Sequence, residues 1–150
     1  MTEATLNLNG DRLIRLPTAD TKLDYLVGFW RWVELLADDD YTGALEALYW
    51  PRGTTWTPKE LKERVTTFFG GDSSWSVVVP NERLVGVINE AAEFQPRDRR
   101  GGGWFMAQIP LTTEPDAPKN DEIPLMGLAV SFFVRSLHDD YVLEFEIFHA

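Results

Sequence analysis

From about Thr21 to Phe69 apolar residues recur at helical spacing, and from Trp75 to His149 they alternate or run in short bursts between turn residues. The switch falls at Gly70-Gly71. Helices followed by strands is the order of an α+β domain whose helices cover one face of an antiparallel sheet. The first predicted helix is Thr21–Ala37, with Asp20 or Thr21 as its N-cap. Leu23, Leu26, Trp30, Val33 and Ala37 form one apolar stripe, and Tyr25, Phe29, Trp32 and Leu36 form another beside it. A helix so apolar is expected to be buried on most sides, inside a curved sheet. Asp38-Asp39-Asp40 ends it and opens a second helix over Tyr41–Tyr49, where the helix dipole favours carboxylates. Pro51-Arg52-Gly53 breaks that helix.

Thr57-Pro58-Lys59-Glu60 is the clearest local signal. Thr is the N-cap, Pro suits the first helical position, and Glu at the third completes a capping box. A third helix is predicted over Pro58–Phe69, stopped by Gly70. The predicted strands are Trp75–Val79, Leu84–Phe94, Trp104–Thr113, Leu125–Ser136 and Tyr141–His149. Short links imply an antiparallel meander, with a tight turn at Leu137–Asp140 and a Pro- and Asp-rich surface loop at Glu114–Pro124. Asn9-Gly10, a favoured type I′ pair, predicts a small N-terminal hairpin over residues 5–16.

At 150 residues the expectation is one domain, 1–150, long enough to bury a real core. Six Trp and nine Phe argue against disorder. Without cysteine there are no disulfides, thiolate metal sites or Cys nucleophiles. The first residues lack a basic and an apolar signal region, and no run approaches the length of a membrane span. A soluble, cytoplasmic chain is expected. The net charge is −10; residues 1–70 carry 8 basic and 11 acidic groups, and residues 71–150 carry 6 and 13. That field disfavours nucleic acid and suits a basic protein partner, although acidity also serves solubility alone.

Several positions carry a resemblance. The helix Leu23–Ala37 enters the Asp38-Asp39-Asp40-Tyr41 turn, and Ala44-Leu45-Glu46-Ala47-Leu48 follows as a second helix. Leu128–Phe132 and Tyr141–His149 close the chain as a long hairpin. This order resembles the NTF2-like superfamily, and the ending is similar to small bacterial members, some encoded near toxin systems. The resemblance spans roughly Thr21–His149. It implies a cone in which N-terminal helices pack in a curved antiparallel sheet. Members include isomerases, dehydratases, transport adaptors, immunity proteins and structural dimers, so the fold does not fix the function. No Tyr/Asp set matches an isomerase site, and no catalytic residue is carried over.

The candidate chemistry is sparse. Glu90 and Glu93 fall on opposite faces of the predicted strand Leu84–Phe94, so one would enter the concave interior. A carboxylate there is a candidate general base, with Tyr25, Asn89 or Gln108 as polar companions. Phe29, Trp30 and Trp104, with Trp32, Trp56, Trp75 and Phe105, either line a pocket or simply fill the core. The candidate pocket is therefore Tyr25, Phe29, Trp30, Asn89, Glu90, Glu93, Trp104 and Gln108. His138 beside Asp139-Asp140 reads as a solvated turn, and His149 as an edge residue; no metal and no cofactor is expected. Arg97–Gly103 is a basic loop without a P-loop lysine motif. The leading expectation is a non-catalytic binding or protein-interaction domain, of immunity type, with a basic protein or a small apolar molecule as partner. The alternative is a small-molecule-binding protein with isomerase- or hydrolase-like chemistry in the cone. A homodimer, burying Phe133 and Phe148 between sheets, is a third expectation.

Overall fold

Thr21 starts the first helix, α1 (Lys22–Ala37), through a capping box: its hydroxyl accepts the Asp24 amide at 3.3 Å, and the Asp24 carboxylate accepts the Thr21 and Asp20 amides at 3.0 and 2.9 Å. The Thr21 amide is the main influence holding the Asp24 carboxyl below its ordinary pKa, with burial opposing it. This geometry comes from a computed structural model, which describes residues 12–51, 53, 56–68, 70, 75–96, 103–114 and 126–149.

The buried face of α1 is Tyr25, Leu26, Gly28, Phe29, Trp32, Val33 and Leu36. The expectation of two packed stripes needs correction at Leu23, which is 66% exposed. The stripe Tyr25, Phe29, Trp32 and Leu36 packs throughout, and Leu26 and Val33 of the other stripe are buried with it. Asp40 caps α2 (Tyr41–Glu46) by accepting the Gly43 amide at 2.8 Å. This helix stops short of Tyr49, whose own amide bonds to the Leu143 carbonyl at 2.8 Å and so draws the chain onto the sheet. Next, α3 (Pro58–Thr66) begins with the expected Thr57/Glu60 capping box. Gly70 follows at φ +68°, a conformation that costs glycine little.

The segment expected as the strand Leu84–Phe94 is instead a helix, α4 (Glu82–Ala91), followed by a short strand, β3 (Glu93–Gln95). Asn81 accepts the Leu84 amide at 3.0 Å and starts the helix. Leu84, Val85, Ile88 and Asn89 are half-buried while Val87 is 55% exposed. Adjacent pairs four residues apart are a helical period, and here they outweigh the strand preference of Val and Ile.

Among the described residues six strands form one antiparallel sheet. Its order is β1 (Arg15–Leu16), β6 (Asp140–His149), β5 (Met126–Leu137), β4 (Gly103–Thr112) and β2 (Ser76–Val77), with β3 also paired to β4. The expected strand Trp75–Val79 is thus only two residues long. Arg15 and Leu16 pair with Val142 and Tyr141 of β6; the rest of the expected 5–16 hairpin, through Asp11, lies outside the described residues. Leu137 pairs with Asp140 across the predicted tight turn, and His138 takes φ +56°. The strands β4, β5 and β6 form the expected meander.

Phe105, Ile109, Leu128, Val130, Phe132 and Leu143 point from the sheet into the same core as α1, α2 and α3. Trp32 meets Phe132 edge-on at 5.2 Å, and its indole donates to the Ala44 carbonyl at 3.0 Å. The architecture is α+β, with the packed helices on one face of an open sheet. Among the described residues no helix is long and apolar enough to cross a membrane.

Candidate functional site

The eight sequence-predicted pocket residues divide among three places. Tyr25, Phe29, Trp30 and Asn89 gather where α1 meets α4. Tyr25 and Phe29 are fully buried, and each has its ring 5.8 Å from that of Phe105. The Tyr25 hydroxyl donates to the Ala19 carbonyl at 2.9 Å. The half-buried Trp30 donates its indole N–H to Asn89 Oδ1 at 2.7 Å. These rings fill space and satisfy one another.

Glu90 and Glu93 are both exposed, one on α4 and the other on β3. The expected interior carboxylate therefore does not occur, and the general-base role drawn for it has no site. The cause is the helix: with residues 82–91 helical, the strand alternation that placed one Glu inside is lost. Trp104 and Gln108 lie on the outer face of the sheet, opposite the helices.

On that face the registry places Trp104 beside Phe133 and Glu144, Met106 beside Ser131 and Ile147, and Gln108 beside Ala129 and His149. Ile147 is 50% exposed. Phe133 stands on this face, under the Arg135 guanidinium at 5.7 Å. Phe148 does not; it faces inward, 6.1 Å from Trp56 and 5.1 Å from Phe145. The expectation that Phe148 would be buried between two sheets is corrected accordingly.

Ser131 pairs with Ile147 but Phe132 pairs with Phe145, which leaves Glu146 as an extra residue in a β-bulge. The bulge turns the Glu146 carboxylate to accept from Ser131 Oγ at 2.6 Å and from Trp104 Nε1 at 2.9 Å. Ser131 Oγ also lies 2.9 Å from His149 Nε2. A serine hydroxyl has one proton, and the short contact gives it to the carboxylate; His149 then donates from Nε2. Ser131 donation is the main effect holding the Glu146 carboxyl below its ordinary pKa, opposed by burial and assisted by Trp104 and the His149 charge. The set is not a catalytic triad. Ser131 is fully buried, and it sits between acid and imidazole where a triad would place the imidazole. The arrangement fixes one carboxylate among Trp104, Met106 and Ile147.

Two clefts flank Phe145. One of about 500 Å³ lies between α3 and β6, bordered by Trp56, Arg64, Phe68, Phe145, Glu146 and Phe148. The other, of about 510 Å³, is bordered by Tyr49, Trp50, Arg135 and Glu144. Sequence reasoning missed Ser131, Glu146 and Arg64 as a set, because the bulge and the α3–β6 contact arise only on folding. Among the described residues no group of three His, Asp or Glu is placed to hold a metal ion. Comparison with known protein families, curated proteins and solved structures returns no match.

Proposed function

We propose that this chain is a non-catalytic protein-interaction domain with an NTF2-like cone, working in the cytoplasm and docking a basic partner through the outer face of β4, β5 and β6. The observation that carries this reading is the makeup of that face. Trp104, Met106, Phe133 and Ile147 offer apolar contact, with an ionised Glu146 held in place among them. Aromatic and Met side chains are enriched at interface centres, and the fixed Glu146 gives a basic partner a charge to meet. The net charge of −10 favours encounter with a basic surface.

The filled interior weighs against the alternative of isomerase- or hydrolase-like chemistry inside the cone. Phe29, Phe105, Trp32 and Phe132 occupy the space such a substrate would need. A second copy of the chain competes for the same outer face. Light-scattering mass of the purified protein distinguishes the two. The reading expects a 17.1 kDa monomer, unchanged by Met106→Arg. A stable dimer that Met106→Arg dissociates would give the face to a second copy and overturn the proposal.

A further inference from the structure

We propose that the cleft between α3 and the C-terminal half of β6 binds a small aromatic carboxylate, with Arg64 receiving the anion. This inference does not depend on the outer-face reading, with which it shares only Glu146 and Ile147 at the border of the cleft.

The cleft holds about 500 Å³, within the range of pockets that take small ligands, and its walls are mainly aromatic. Trp56, Phe145 and Phe148 form a continuous cluster, with ring separations of 5.5 Å for Trp56–Phe145 and 5.1 Å for Phe145–Phe148. Such rings offer their faces and edges to a planar guest. Arg64 lies over Trp56, with its guanidinium carbon 5.5 Å from the ring centroid. That contact does not use up the guanidinium N–H donors, which match a carboxylate as a fork.

Arg64 is also among the cations that no described carboxylate holds, and the one of these that borders this cleft. Arg12, Arg15, Lys62 and Arg135 each pair with a carboxylate. Among the described residues none pairs with Arg64, although the chain is strongly acidic. A cation against an aromatic wall, beside a cleft and in no ion pair among the described residues, can receive an anion. Glu146 stands on the β6 side, already accepting from Ser131 and Trp104. Its charge repels a second anion and orients the guest, with the carboxylate toward Arg64 and the ring toward Phe145 and Phe148.

The test is titration of the intact protein with 2-naphthoate and with neutral 2-naphthamide, followed by calorimetry and by the Trp56 indole resonance. We expect saturable binding of the naphthoate with a shift at Trp56. Arg64→Gln should weaken naphthoate binding by at least about tenfold, the scale of a charged hydrogen bond, and leave the amide unchanged. Arg64→Lys should restore part of the loss. Circular dichroism of both variants confirms folding, since Arg64 is exposed. No saturable binding to the parent, equal effects of Arg64→Gln on acid and amide, or shifts at Trp104 instead of Trp56 would each overturn the inference.

Discussion

Ser131 donates its hydroxyl proton to Glu146 across a β-bulge, at 2.6 Å, from a position with no exposed surface. The bulge is what makes the contact. Without the extra residue in β6, Glu146 would follow regular alternation. The pair therefore ties an irregularity of the backbone to a carboxylate that the outer face holds in a fixed position.

Ser131→Ala removes the hydroxyl that holds Glu146. The Glu146 pKa should rise toward its ordinary value, read by carboxyl NMR titration. The stability loss should be small, about 1 kcal/mol, because water screens the exposed carboxylate. An unchanged titration would show that the hydroxyl is not the dominant influence.

Stability should fall in acid. Asp24 and Glu146 both have folded-state pKa values below their ordinary ones. A depressed carboxylate contributes stability above its unfolded pKa and loses it as pH falls through the folded value. The urea midpoint should therefore be flat near neutrality and decline below about pH 4, the ordinary carboxylate range. Asp24→Asn combined with Glu146→Gln should flatten the decline.

Gly86 lies within α4 with open space where a Cβ would stand. Gly86→Ala should stabilise the protein by about 1 kcal/mol, the helix-propensity difference. A thermal melt checks it. Destabilisation would argue that residues 82–91 are not helical in solution.

Gly43 is the opposite case. A Cβ there would meet Arg12 Nη2 at 2.7 Å and press on Asp40. Arg12 also grips the buried Glu46 at 2.6 Å. Gly43→Ala should destabilise by about 1–3 kcal/mol, the usual cost of overpacking. A denaturant midpoint equal to that of the parent would show that Arg12 moves aside freely.

What the sequence made legible was local. The Thr57–Glu60 capping box needs only four residues, and it is found as expected. The β5–β6 turn is similarly fixed by its own residues. Segment 82–91 was misread because Val85, Val87 and Ile88 favour strands, while the deciding features are the Asn81 cap and packing at four-residue spacing. That single error moved Glu90 and Glu93 from a supposed interior to solvent. Trp30 and Asn89 are both candidates from the sequence, yet their bond depends on α4 being a helix beside α1. The Ser131–Glu146 pair follows from a register shift, which no pattern of alternation announces.

The most direct test of the docking proposal is photocrosslinking in the native cell, with a benzophenone side chain at Met106 on the outer face or at Glu63 on α3. The account predicts a discrete adduct to a basic protein from position 106 and none from position 63. Adducts from position 63 alone, or none from either, would contradict it.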